Sequence, residues 1–394
     1  MTNLLAVEHA LRTASPHDLL DRLRDALAAQ YGVRSAELLL ADYSLSVLHP
    51  VSPGPGAADP VPARTTPVGR AFGAQEPVVD DRDPVALHLP VTVRGDRLGV
   101  LSLRLPDGPP TAELTADLLA VAEMLAHAIV VAERDTDVYV QARRSARLTL
   151  AAEMQWQLLP ARSCRRPEYE IGAHLEPAYA IRGDNFDWSG NRDTLTLTVT
   201  NGMGEGIDAS LLTNLAINAL RNARRAGVGI ADQAALADQA VYAQYQGRMH
   251  VSVLLLEFGL ATGRVQVVDA GSPRLLRMRA GAVELIPFEA QLPLGMADET
   301  PYTTQEIQVE PGDRLIFVSD GVHEVVSALG EPYGEKALSR SILATRLLPA
   351  AEVPRALLGE LERYRAQDPD DDALVICVDW HGRAALPQEE APAP

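Results

Sequence analysis

Cysteine is nearly absent: 394 residues contain only two, Cys164 and Cys377, far apart in the chain. That pair can build neither a disulfide framework nor a thiolate metal centre. Cys377 lies in the apolar run Leu374-Val375-Ile376-Cys377-Val378 and is expected to be a buried strand residue. Basic residues are also in the minority, with Lys+Arg 35 against Asp+Glu 53 and a net charge of -18. Such a chain repels phosphate backbones and anionic membrane surfaces, so neither a nucleic acid nor a membrane is an expected partner. Long hydrophobic runs are missing as well. The most apolar stretch, Leu118 to Ala132, carries Glu123 and His127 and falls short of a bilayer span. The N-terminus has no basic n-region, and Glu8 and His9 interrupt its brief apolar run, so no signal peptide is expected. These absences point to a cytoplasmic protein. What remains, 47% hydrophobic and 22% charged residues, is ordinary globular composition, and the length exceeds what one core usually serves. Two domains are expected.

Apolar residues recur at helical spacing from Asp18 to Tyr31, and Gly32 follows where a helix would stop. Ala36 to Leu40 and Ser44 to Leu48 read as short strands, and Pro50 to Pro67 as a loop rich in Pro, Gly and Ala. Leu87 to Val93 and Leu98 to Leu105 read as paired strands turning at Arg94-Gly95-Asp96-Arg97. The motifs Val68-Gly69-Arg70-Ala71-Phe72-Gly73, Glu76-Pro77-Val78, Leu89-Pro90-Val91 and Leu98-Gly99-Val100-Leu101 resemble the second half of a GAF domain. The resemblance implies an α/β sensor domain over residues 1–110 that either takes a small ligand or only packs and dimerises. A covalently attached bilin is excluded, because no cysteine lies there.

Residues 111–160 are expected to be mostly helical. Leu114, Leu118, Val121 and Leu125 make a short heptad-like seam, which Glu133 to Arg147 interrupts. Leu150, Met154 and Leu158 resume it before Pro160 stops the helix. A connecting helix pairing with its copy in a homodimer gives this pattern, and so does a helix packed on its own domains. Residues 382–394, rich in Ala, Pro and Glu, read as a disordered tail.

The chemistry is concentrated beyond residue 160. Thr194 to Thr200 alternates strictly, as a half-buried strand does, and runs into Asn201-Gly202-Met203-Gly204-Glu205-Gly206. The glycines permit backbone angles closed to other residues, and an amphipathic helix follows. A phosphate-binding turn has that outline too, but no Gly-Lys-Ser/Thr follows it. Carboxylates stand at strand ends: Asp184 in Arg182-Gly183-Asp184-Asn185-Phe186-Asp187, Asp320 after the strand Arg314 to Ser319, and Asp370, Asp371 and Asp372 before Leu374. Oxygen ligands so placed suit hard cations such as magnesium or manganese. A lone aspartate there is more often a turn residue, and spacing does not assemble these into one site.

Taken in order, Gly183-Asp184-x-x-Asp187, Asn201 to Gly206, Ser319-Asp320-Gly321-Val322-x-Glu324 and Asp371-Asp372 resemble the signatures of SpoIIE-like PPM (type 2C) phosphatases. Asp269-Ala270-Gly271, Leu292-Pro293-Leu294-Gly295, Pro311-Gly312-Asp313-Arg314-Leu315 and Gly330-Glu331-Pro332-Tyr333-Gly334 fall between them in the same order. Met154 to Pro160 resembles the segment that introduces such domains. The resemblance implies an α+β protein with a PPM-type β-sandwich flanked by helices over residues 161–381. It implies two Mn2+ or Mg2+ ions, with Asp184, Asp320, Asp371 and the Gly202 carbonyl as ligands, and a metal-held water attacking phosphorus. The substrate it implies is a phosphoserine or phosphothreonine protein such as an anti-sigma-factor antagonist. The chain departs from the pattern at Arg182, Asn201, Glu205, Asp269 and Ser272. Asn201 stands where the family has the aspartate that bridges both metals, and an amide supplies one oxygen and no charge. Glu205 replaces a loop histidine, and Asp269-Ala270-Gly271-Ser272 replaces Asn-Ala-Gly-His. Two functions therefore compete at Asn201: a working phosphatase, and a pseudophosphatase that keeps the fold as a partner-binding module.

Overall fold

The computed structural model describes residues 2–51, 59–82, 85–106, 108–176, 182–327, 333–365 and 371–383. Asp370, the Gly330–Pro332 part of one motif and the tail beyond residue 383 lie outside them. The chain divides into two compact units, 1–147 and 148–394.

The first unit begins with α1 (Thr2–Thr13), α2 (Leu19–Tyr31), β1 (Ser35–Ala41), β2 (Val47–Pro50) and β3 (Val61–Pro62). It continues through α3 (Pro67–Ala74), β4 (Val78–Asp80), β5 (Ala86–Val93), β6 (Asp96–Arg104), α4 (Ala112–Ala132) and α5 (Val138–Ala142). Six strands form one antiparallel sheet in the order β3-β2-β1-β6-β5-β4. Alternation along β1 sends Leu38 and Leu40 to the face covered by α1, α2 and α4, and Leu39 and Ala41 to the face under α3. Gly32 caps α2 in the left-handed conformation at φ 67, as the sequence predicts.

The expected helix over 111–160 is broken into α4, α5 and a further short helix across the unit boundary. Its first seam is not free for a partner copy. Leu118, Val121 and Leu125 are fully buried in the first unit's own core. Spacing of three and four residues is the same whether a helix packs on a sheet or on a second helix, so the pattern could not decide. By length and composition α4 is apolar enough to cross a membrane. Seven of its residues, from Leu118 to Ala132, are nonetheless buried against the sheet.

The second unit opens with α6 (Leu150–Leu158), β7 (Ser163–Arg165), β8 (Tyr169–Glu176), β9 (Asn185–Gly190) and β10 (Thr194–Gly202). Then come α7 (Gly206–Arg225), α8 (Ile230–Tyr245), β11 (Val251–Gly259), β12 (Arg264–Ala270), β13 (Arg274–Arg279), β14 (Ala282–Ile286) and β15 (Gln305–Gln308). β16 (Arg314–Val318), α9 (Asp320–His323), α10 (Gly334–Ala344), α11 (Val353–Tyr364) and β17 (Ala373–Trp380) complete it. Two antiparallel sheets result, β15-β12-β11-β10-β9 and β14-β13-β16-β17-β8-β7. They face each other as a sandwich, and Phe258 of one stacks on Trp380 of the other with centroids 5.7 Å apart. Helices α7 and α8 cover the outer face of the first sheet, and α10 and α11 that of the second. This is the α+β sandwich that the resemblance implies.

β10 is not half-buried. Thr196, Thr198 and Thr200 are at most 1% exposed. They share a sheet face with Val253 and Leu255, which pack beneath α7 and α8. Threonine reads as polar in a sequence, yet its β-branched shape suits a pleated surface under a helix. The tail expectation also shifts. Arg383 is anchored by Glu168 at 3.2 Å and Asp193 at 3.0 Å.

Candidate active site

One end of the sandwich gathers the marked carboxylates. Asp184 precedes β9, Asn201 and Gly202 end β10, Asp320 follows β16 and opens α9, and Asp371 and Asp372 lead into β17. The strand continues further than the sequence suggests: Asn201 pairs with Ser252 and Gly202 with Val251, so both belong to β10 and not to a loop.

Asp372, fully buried, is the organiser that the sequence reading did not single out. Its Oδ2 accepts the backbone N–H groups of Arg182, of Gly183 at 2.8 Å and of Asp184 at 3.3 Å. Three donors converging on one carboxylate fix the turn that presents Asp184. Gly183 sits there at φ 153, and a Cβ on it would lie 2.4 Å from the Gly202 carbonyl oxygen. Only glycine fits. At the other wall Leu374 N–H donates to Ser319 Oγ at 3.0 Å, and a Cβ on Gly321 would strike the Asp372 carbonyl. The start of α9 is thereby set against the start of β17.

Burial, then the charge of Asp372, holds the Asp184 carboxyl well above the usual carboxylate range. Asp320 is raised by burial first and by Asp371 next. Burial pushes Asp372 up to about 7 against the lowering effect of its three N–H donors. Asp184 Oδ2 and Asp372 Oδ1 are buried without a hydrogen-bond partner. Carboxylates that feel one another in a low-dielectric recess call for a proton or a cation. Asn201 answers differently for Asp320: its Nδ2 donates to Asp320 Oδ1 at 2.5 Å. Among the described residues no group of three or more His, Cys, Asp or Glu side chains lies close enough to hold an ion. The sequence-marked residues thus share one end of the fold without closing into a full ligand cluster.

Asp187, grouped with Asp184 by the motif, does other work. It accepts from Arg221 at 2.7 and 3.2 Å and from Arg224 at 2.9 Å. Arg221 also donates to the Leu158 carbonyl at 2.6 Å, tying α6, β9 and α7 together. The signal was the Arg221/Arg224 pair at i,i+3 on one helix face. Asp187→Asn leaves two guanidinium groups without their counter-charge, and is expected to cost about 2–4 kcal/mol. Urea unfolding of parent and variant checks this; equal midpoints would refute it. Gln155 of α6 likewise accepts from Asn185 at 2.8 Å, next to Asp184. Glu205 is exposed and caps α7 without a side-chain hydrogen bond.

Residues 191–381 match the profile of the family described as Stage II sporulation protein E (SpoIIE). Asp184 lies just before that range. Over 202 residues the chain is 21% identical to the phosphoserine phosphatase RsbU of Bacillus subtilis (strain 168), covering 51% of this chain and 60% of RsbU. The match thus spans less than two thirds of that relative. Among solved structures, the RsbU and RsbW domains of a Mycobacterium tuberculosis protein are 22% identical with TM-score 0.48, covering 55% of this chain and 61% of that one. The PP2C phosphatase domain of Bacillus subtilis SpoIIE, with a fragment of its regulatory domain, is 20% identical with TM-score 0.47, covering 55% and 65%. Residues 191–381, most of the second unit, thus match the SpoIIE family profile, and the unit folds as a two-sheet sandwich with the marked residues at one end.

Proposed function

We propose that the second unit is a metal-dependent phosphoserine/phosphothreonine protein phosphatase of the SpoIIE/RsbU type. The observation that carries this reading is that Asp184, Asp320 and Asp371 stand at one end of a two-sheet sandwich whose residues 191–381 match the SpoIIE profile. A bound divalent cation would supply an activated water for attack on phosphorus. The protein's own groups set the stage. Asp372 holds the Asp184 turn, Gly183 and Gly321 permit close backbone contact, and burial holds the Asp184 and Asp372 carboxyls above the usual carboxylate range. In this reading the substrate is a phosphorylated regulatory protein, an anti-sigma-factor antagonist by analogy with relatives, and the protein works in the cytoplasm. The first unit is a GAF-like regulatory domain. Its six-stranded sheet clothed by helices on both faces supports that reading, as does a cleft of about 550 Å³ lined in part by Leu20, Arg24, Val51 and Tyr139.

A second reading is favoured by the Asn201–Asp320 hydrogen bond: the domain binds its phosphorylated partner without turning it over. Phosphate release from a phosphoserine peptide by the full chain with manganese separates the two. Release that ends on adding a chelator, and falls at least tenfold in Asp184→Asn, supports the phosphatase. A folded chain that releases nothing, yet retains a phosphoprotein better than its unphosphorylated form, supports the binding module.

A further inference from the structure

We propose that the cleft of about 550 Å³ between α2 and α5 takes a small organic cation with an apolar body. The inference deepens the regulatory reading of the first unit, and rests on that reading for the ligand's purpose; the binding itself is argued from the cleft.

The cleft lies on the helical side of the sheet, away from the face under α3. Its floor is apolar. Leu20, Val51 and Tyr139 line it, are at most 6% exposed and belong to the core of the unit. That floor is also fixed. Tyr139 Oη donates to the Pro16 carbonyl at 2.9 Å, and the Val51 N–H donates to the Leu38 carbonyl at 2.8 Å. Just beyond α5, Arg143 Nε donates to the Ala41 carbonyl at 3.2 Å and the guanidinium sits 5.5 Å from the centre of the Tyr43 ring. A concave recess of this volume, with preformed apolar walls and few polar groups, has the make-up of a small-molecule site.

The mouth sets the charge. His17, Asp18, Asp21 and Arg24 border it. Arg24 is already committed: its Nε donates to the Ala36 carbonyl at 2.9 Å and its Nη1 to Asp21 Oδ1 at 2.7 Å. An anion would have to draw the guanidinium away from both. Asp18 is half exposed, and among the described residues its charged partner is the His17 ring alone, at 3.5 Å. Two carboxylates thus stand against one guanidinium. A cationic head group reaching Asp18 and the second oxygen of Asp21 gains an attraction that an anion of the same shape loses. Its apolar body would bury against Leu20, Val51 and Tyr139.

Tryptamine and indole-3-acetate share a ring system and carry opposite charges, so calorimetric titration of the full chain with each tests this without reference to turnover. Tryptamine is expected to bind once per chain, and indole-3-acetate at least tenfold more weakly. The double variant Asp18→Asn/Asp21→Asn is expected to weaken tryptamine at least fivefold. Because it also releases Arg24, the preference between the two probes should shrink to less than threefold. Val138→Trp, on the lip of the cleft, is expected to weaken tryptamine at least tenfold through crowding. Amide hydrogen exchange with tryptamine bound is expected to slow at 17–24 and 138–142. A preference for indole-3-acetate, tryptamine binding that ignores these substitutions, or protection confined to other segments would overturn the proposal. So would the absence of tryptamine binding at millimolar concentration. All three positions are at the surface, and circular dichroism checks that the variants fold. Binding as expected with phosphate release unchanged would tell against the regulatory reading of the unit and not against the site.

Discussion

Asn201→Asp is expected to raise hydrolysis of para-nitrophenyl phosphate in manganese by at least tenfold over the parent chain. The argument is electrostatic. Two divalent ions a few ångströms apart repel strongly, and a carboxylate between them offsets that repulsion and fixes their spacing. In the parent, position 201 offers an amide whose N–H group is turned on Asp320. The substitution removes that donor and adds a carboxylate beside Asp320, which would strengthen the hold of this end of the sandwich on divalent cations. About 3 kcal/mol regained in the transition state corresponds to roughly a hundredfold in rate, so tenfold is a modest threshold. The backbone has no reason to object: Asn201 lies in regular β10 pairing opposite Ser252, a geometry open to aspartate. Activity in the parent equal to that of the variant would show that an amide suffices here. Inactivity of both, with two ions bound to the variant, would move the defect to Glu205 or Ser272.

Acid is expected to weaken the second unit through His323, by up to about 2–3 kcal/mol. His323 is 6% exposed on α9, and burial, with Arg274 adding a smaller push, lowers its pKa to about 4. A backbone hydrogen bond with Ser272 opposes that shift only in part. The neutral ring is the form the fold accommodates. Above the unfolded pKa of about 6.5, both states are neutral and pH has no effect through this residue. Between about 6.5 and 4 the unfolded chain binds a proton that the folded chain refuses, so stability falls as pH falls. His323→Asn keeps a side-chain N–H for Ser272 but does not titrate. Chemical denaturation at pH 7.5 and 4.5 is expected to show the parent losing about 2 kcal/mol more than the variant. Parallel losses would remove His323 from the account.

What the sequence disclosed and what it withheld divide along physical lines. The strand Thr194 to Thr200 was legible from its period of two. That its threonine face is buried was not, because the covering helix α7 is positioned by contacts distant in sequence. Asp184, Asp320 and Asp371 stood out as carboxylates at strand ends, but their ordering into one site came from the family pattern. Asp372 was visible only as a neighbour of Asp371, since its role lies in three backbone donors about 190 residues away. Asp187 shared a motif with Asp184 and a fate with Arg221, and only three-dimensional proximity separates the two. The seam from Leu118 to Leu125 fitted a partner helix and a sheet equally, and the sheet took it.

The pairing of Asn201 with Gly202 has one more consequence, for the chemical lifetime of the chain. An asparagine followed by glycine is the dipeptide most ready to lose ammonia, because the unhindered glycine nitrogen can close on the side-chain carbonyl carbon and form a cyclic imide. Ring closure needs that nitrogen released and the backbone turned out of extended geometry. Here the Gly202 N–H is held by the Gly183 carbonyl at 3.2 Å, both residues are locked in the ladder with β11, and the Asn201 amide is engaged by Asp320. The same contacts that set the chemistry of the recess therefore protect its one neutral member from ageing into an acid. Unfolding would release that protection, so spontaneous conversion at position 201 would record how often this end of the sandwich opens.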